Sequence, residues 1–174
     1  MTGMDAATGG RAWRFGDNVD TDALAPGRYM KGPIEELARH CLETLDPEFA
    51  KDVRPGDIVV GGRNFGMGSS REQAVQALRH LGVGVVLARS FAGIFYRNAL
   101  NLGLMALVCP ETERIANADR LLVDPERGRI ENLTSADRIC CEPLPTHLAH
   151  MVRDGGLVPY LERRLRGQAC GSNS

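Results

Sequence analysis

Ile58-Val59-Val60-Gly61-Gly62-Arg63-Asn64-Phe65-Gly66-Met67-Gly68-Ser69-Ser70-Arg71-Glu72-Gln73 passes from an apolar run through a glycine-rich loop into the start of a helix. Arg54-Pro55-Gly56-Asp57 ahead of it is a turn that launches a short buried strand at Ile58. The helix behind it runs to about Leu81, and Ser69 with Glu72 and Ser70 with Gln73 form two overlapping capping boxes at its start. Further on, Val83–Ala88 reads as a second buried strand, Phe91–Leu102 as a helix behind the cap Ser90, and Leu104–Val108 as a third strand. Strand, helix, strand, helix, strand in about fifty residues predicts an α/β domain whose sheet is partly parallel, with right-handed crossovers.

Toward the N-terminus, Pro33 opens a helix, with Glu35 and Glu36 near its positive end and Ile34, Leu37, Ala38, Cys41, Leu42 and Leu45 at a 3–4 spacing. Val19–Lys31 has no period and contains Pro26-Gly27, so it reads as an ordered loop behind the turn Gly16-Asp17-Asn18. Trp13-Arg14-Phe15 alternates as a strand does. Toward the C-terminus, Leu121-Leu122-Val123 and Arg129–Leu133 flank a polar turn and read as a β-hairpin. Pro145–Arg153 and Leu157–Leu165 read as short helices separated by Gly155-Gly156. The expected organisation is a disordered tail over 1–12, one domain over 13–166 and a flexible tail over 167–174.

Composition narrows the function classes. The 174 residues are 43% hydrophobic, and 21 basic against 22 acidic side chains give a net charge of −1, which argues against nucleic-acid binding. No apolar run approaches the ~18–20 residues of a membrane span, and the first dozen residues lack the pattern of a signal peptide, so a soluble cytoplasmic protein is expected. Cys41, Cys109, Cys140, Cys141 and Cys170 contain no CxxC pair and read as thiols of a reducing compartment, with no metal held by this chain. The four histidines show no ligand spacing and read as surface residues.

The chemistry concentrates in Gly61–Gln73. Glycines let backbone approach a ligand, and a helix start offers unpaired N–H donors. Ser69, Ser70 and Arg71 add two hydroxyls and a guanidinium able to grip a carboxylate by two parallel bonds. A phosphate-cradling loop of the P-loop type would need a lysine before Ser/Thr, and the glycine spacing fails the dinucleotide fingerprint. Asp22, taken alone, reads as a turn or cap aspartate.

Asn64–Ala74 resembles the swivel-domain signature of the aconitase superfamily, above all the separate small subunits of 3-isopropylmalate dehydratase and homoaconitase. Gly16–Asp22, Ser90–Asn98 and Gly155–Val158 agree with that family in the same order, and the resemblance runs from about Trp13 to Leu165. It implies a three-layer β/β/α swivelling domain. It implies that Ser69, as an alkoxide, is the base removing a carbon-bound proton, that Ser70 and Arg71 bind substrate carboxylate, and that Asp22 lies in the active site. It marks Pro26–Gly32 as the loop that selects substrates, with Lys31 where relatives acting on an additional carboxylate carry arginine.

The expected activity is reversible dehydration of a hydroxy di- or tricarboxylate, of the 3-isopropylmalate dehydratase type and so in leucine biosynthesis. Homoaconitase-, citramalate- and dimethylmalate-type substrates are the alternatives, and a non-catalytic anion-binding module is the alternative from another class. Elimination also needs an electrophile for the departing hydroxide, and the resemblance implies a large partner subunit holding a [4Fe–4S] cluster.

Overall fold

The computed structural model describes residues 7–170. Four parallel strands, β1 (Thr8–Arg14), β2 (Ile58–Val60), β3 (Val85–Ala88) and β4 (Met105–Val108), continue into three antiparallel ones, β5 (Arg120–Asp124), β6 (Arg129–Asn132) and β7 (Asp137–Cys140), in the spatial order β4-β3-β2-β1-β5-β6-β7. Helices α1 (Thr21–Leu24), α2 (Ile34–Arg39) and α3 (Phe49–Asp52) lie in the long β1–β2 connection. The crossovers are α4 (Glu72–His80) and α5 (Gly93–Asn101), and α6 (Thr146–Arg153) and α7 (Leu157–Cys170) end the described chain.

Register explains why the parallel strands read as continuous apolar runs. Trp13, Val59, Val86 and Ala106 stand side by side across β1 to β4 and point into the core beneath the helices. Their neighbours Ala12, Ile58, Val85 and Met105 form the adjacent row on the opposite face. Both faces are covered, so both rows must be apolar. The second face packs on the antiparallel half, where Val123, Ile130 and Ile139 align across β5 to β7. The sheet curls until Glu142 N–H, just past β7, donates to the Val108 carbonyl of β4 at 2.7 Å. Helices, parallel half and antiparallel half make the three layers expected of a β/β/α swivelling domain.

The predicted βαβαβ segment and the hairpin are found close to their expected bounds. Other boundaries move. β1 begins at Thr8, so residues 8–11 pair with β5 and Ala12 with β2 instead of forming a tail, and α7 extends through Gly167 to Cys170. Residues 1–6 and 171–174, expected as tails, lie outside the described residues. The helix opened by Pro33 ends at Arg39, because the chain turns at His40 and Leu42 takes a left-handed backbone with φ 59°. Among the described residues no helix is long and apolar enough to cross a membrane.

One buried carboxylate ties the N-terminal strand to β2. Asp57 accepts from Arg11 N–H at 3.1 Å, from Trp13 Nε1–H at 3.0 Å and from Arg54 N–H at 2.9 Å. Trp13 then meets Phe49 edge-on at 5.3 Å between ring centres. Asp57→Ala leaves three donors without an acceptor and is expected to cost about 3 kcal/mol, with Asp57→Asn costing less. Thermal denaturation should show a fall in Tm on the order of 10 °C for the alanine variant. A shift within about 1 °C, where surface substitutions fall, would mean that the staple contributes nothing.

Candidate active site

The chain leaves β1, β2 and β3 at the same edge of the sheet, and the three exits pair with one another. The β2 exit lies in the middle: Asn18 N–H donates to the Arg63 carbonyl at 2.8 Å, Gly66 N–H to Val19 at 2.7 Å and Thr21 N–H to Met67 at 2.8 Å. On its other side Phe65 N–H donates to Ser90 at 3.0 Å, and Ala92 N–H donates to Phe65 at 2.9 Å. Isolated parallel bridges at Asp20–Met67 and Phe65–Phe91 continue the order of the strands themselves. Three stretches that stand out separately in the sequence, 16–22, 64–74 and 90–98, are therefore one structure.

Ser69 and Ser70 do not cap the helix as the capping boxes predict. α4 begins at Glu72, with Arg71 as an extended N-cap residue and no side-chain capping bond. Ser90 likewise does not cap α5; Ala92 holds that position, and the Ser90 hydroxyl accepts from Asn64 N–H at 2.9 Å. The reason is tertiary: pairing between the strand exits dictates the backbone here, and the local capping signal loses to it. Both Ser69 and Ser70 are exposed, and the Ser69 hydroxyl lies 3.4 Å from that of buried Thr21. Thr21 is a neighbour that sequence reasoning did not identify.

The structure brings Asp22 and Arg71 together, 49 positions apart in sequence. Arg71 Nη1 donates to Asp22 Oδ1 at 2.9 Å and to the Ala25 carbonyl at 3.0 Å, and Gly27 N–H donates to Asp22 Oδ1 at 3.2 Å. These bonds anchor one corner of the guanidinium and leave Nη2 and Nε without a partner among the described residues. The Arg71 hydrogen bond, and after it the Gly27 N–H, hold the Asp22 carboxyl below the usual carboxylate range. Arg28 adds a smaller electrostatic contribution of the same sign. Asp22 is 70% exposed, so water screens the pair and it contributes little to stability. Its role is orientation. Lys31 is exposed at the end of the turn that follows Gly27–Tyr29. Arg28, not Lys31, is the loop cation whose charge reaches Asp22.

No group of three or more His, Cys, Asp or Glu among the described residues is arranged to hold a metal ion. Cys109, Cys140 and Cys141 do gather where β4 meets the end of β7, with the Cys109 thiol 3.6 Å from the Cys140 carbonyl. Burial pushes the Cys109 thiol up to about 11 and Cys141 up to about 12, and it raises Cys41 as well. Burial thus keeps these thiols protonated in the chain as it stands. A cleft of ≈ 360 Å³ beside the site is lined by Arg14, Asp17, Arg89 and Glu113, and by none of Asp22, Ser69, Ser70 or Arg71.

A three-layer β/β/α domain that presents two exposed hydroxyls and an anchored guanidinium at one edge of its sheet has the architecture of a swivel domain. Residues 18–112 match the aconitase C-terminal domain family, and the chain belongs to it. The chain is 50% identical to 3-isopropylmalate dehydratase small subunit 1 of Archaeoglobus fulgidus over 87% of its length and 94% of that protein. It is 48% identical to the methanogen homoaconitase small subunit of Methanothermobacter thermautotrophicus, over 90% and 92% of the two chains. The crystal structure of 3-isopropylmalate dehydratase from Methanocaldococcus jannaschii superposes with a TM-score of 0.89 at 42% identity, covering 95% of this chain and 99% of that one.

Because the folded-state pKa of Asp22 lies below its unfolded value of ~3.9, the pair is complete above that pH and is lost as pH falls through the lowered folded value. Carbon-detected NMR titration should place the Asp22 midpoint below ~3.9, and Arg71→Ala should return it toward that value. An unshifted midpoint in the native chain would mean that Arg71 does not hold Asp22 in solution.

Proposed function

We propose that this chain is the small subunit of a heteromeric hydro-lyase of the 3-isopropylmalate dehydratase type, acting in the cytoplasm on a hydroxy di- or tricarboxylate. Reversible dehydration followed by rehydration moves the hydroxyl from one carbon to its neighbour, converting 2-isopropylmalate to 3-isopropylmalate. The observation that carries this reading is the release of Ser69 and Ser70 from helix capping, which leaves two exposed hydroxyls in the residues just before Arg71.

In this reading Arg71 Nη2 and Nε donate a parallel pair of bonds to one substrate carboxylate, and the Ser70 hydroxyl adds a third. Asp22 holds Nη1 at 2.9 Å and so fixes the guanidinium while leaving that edge unpaired among the described residues. Ser69, as the alkoxide, takes the proton from the carbon next to that carboxylate. A serine hydroxyl is too weak an acid to ionise unaided, so its base form requires concentrated positive potential. The proposed large partner subunit holds a [4Fe–4S] cluster, which supplies the Lewis acid for the departing hydroxide. This chain contributes the base and the carboxylate grip and closes over the partner's site.

The test is anaerobic reconstitution with the cluster-bearing partner, following alkene absorbance on isopropylmalate, citramalate, dimethylmalate and homocitrate-type substrates. Turnover is expected in the complex and in neither subunit alone. No turnover from a folded complex with an intact cluster would overturn the reading. In the same assay Ser69→Ala should lower kcat by about 10²–10⁴-fold while KM changes little. A near-native rate would exclude Ser69 as the base. Lys31→Leu should weaken use of substrates bearing an additional carboxylate selectively, as loss of a paired cation would. Equal effects on all substrates would remove Lys31 from substrate selection.

A further inference from the structure

His40 is a surface histidine by sequence pattern, yet the structure half-buries it against the loop that borders the site. Its imidazole lies flat on the Tyr29 ring, with centroids 3.7 Å apart and planes 3° from parallel. His40 Nδ1 stands 2.7 Å from Glu43 Oε2, and since a carboxylate only accepts, the imidazole is the donor. The other oxygen of Glu43 lies 3.9 Å from Arg28 Nη2, and the Arg28 guanidinium sits 5.3 Å from the centre of the Tyr29 ring. Arg28, Tyr29, His40 and Glu43 thus close a ring of four side chains around the loop.

Both supports of this ring start from α1, the short helix that carries Asp22. Gly27 N–H donates to Asp22 Oδ1 at 3.2 Å and pins the near end of the loop. Leu42 N–H donates to the Ala23 carbonyl at 2.8 Å and pins the turn that carries His40 and Glu43. Leu42 accepts a left-handed backbone, φ 59°, to do so, and its side chain is fully buried. A branched side chain is rarely held in that conformation without a purpose. Here it aims His40 at Tyr29.

Resting on the reading that Arg71 binds substrate carboxylate, we infer that His40 and Glu43 are positioning residues: they clamp Tyr29 so that the 27–31 loop stays against the Asp22–Arg71 pair and the carboxylate grip is preformed. Neither touches substrate. Their effect falls on binding, because a loop that must be reordered at each encounter weakens ground state and transition state alike.

In the reconstituted complex, His40→Ala is expected to raise KM about five-fold with kcat within about two-fold of native, the range a lost ring stack supports. His40→Phe keeps a ring on Tyr29 and should return KM most of the way, and Glu43→Gln should show an intermediate rise. Trypsin provides a readout independent of turnover, since Arg28 and Lys31 both lie in the loop. Cleavage after them in the folded full chain should quicken in His40→Ala by a similar factor, with Tm unchanged, and slow again in His40→Phe. Unchanged KM and cleavage in His40→Ala would overturn the inference. So would equal losses in both His40 variants tracking a lowered Tm, which would make His40 a packing residue only. If the native complex turns over no hydroxy acid, the hydro-lyase reading fails and the clamp is decided by the cleavage rates alone.

Discussion

Gly66 has its N–H on the Val19 carbonyl and its α-carbon against the side chain of Phe95, and the site depends on that approach. A Cβ at this position would run into the Phe95 side chain, and the backbone is left-handed with φ +82°. Any other residue would therefore meet both a steric and a conformational penalty. The aromatic wall leaves no slack: Phe65 and Phe95 are edge-on at 5.3 Å, and Phe91 stacks on Phe95 at 6.2 Å. With the wall on one side and the 18–21 segment on the other, the β2 exit can run only between them. That path sets Ser69 and Ser70 off the end of the helix and brings Arg71 over Asp22.

The electrostatic consequence is a site that is half made. Arg71 spends one nitrogen on Asp22 and Ala25, so part of its charge is already answered. Glu72, in the first turn of α4, offsets the positive end of that helix. Among the described residues the Ser69 hydroxyl has only that of Thr21 within bonding reach, at 3.4 Å, and a hydroxyl does not draw off its proton. On the proposed function, these groups suit the orientation of a carboxylate better than the ionisation of a serine. In the hydro-lyase reading that imbalance has a physical use. Substrate carboxylate and partner charge arrive together, so the base forms only when the two halves close and stays a neutral alcohol otherwise.

The periodic parts of the fold were legible because burial writes a pattern. Ile58–Val60, Val85–Ala88 and Met105–Val108 are covered on both faces and read as apolar runs, and α4 and α5 show their buried stripes. The parts that were not legible are held from outside. β7, Asp137–Cys140, is a polar edge strand recognisable only from its pairing with β6. Residues 8–12 looked like a tail because of Gly9 and Gly10, yet a Cβ on Gly10 would collide with the backbone of Gly56, so the glycine is what lets β1 pass there. At the site, Gly61–Arg71 showed its chemistry through composition, and Asp22 entered only through family resemblance. The helix-start signal of Ser69 and Ser70 was real as a local preference and was overridden by three paired strand exits. The stack of Tyr29 on His40 had no signal at all, since two half-buried rings eleven positions apart follow no period.

In the proposed reading, the same architecture separates a fixed part of the site from a variable one. The chain is 50% identical to a 3-isopropylmalate dehydratase subunit and 48% identical to a homoaconitase subunit, so overall identity does not choose between them. The segments that carry Asp22 and Arg71 rest on buried supports: Thr21 and Leu24 on α1, Phe65 and Gly66 in the β2 exit. Lys31 stands outside them, exposed at the end of the loop. Substitutions at such a position cost little stability, usually within about 0.5 kcal/mol, because nothing in the core leans on them. In the proposed reading, supports fixed in the core hold Arg71 while the exposed Lys31 is left to vary, so the group that meets the far end of a substrate can change without rebuilding the site.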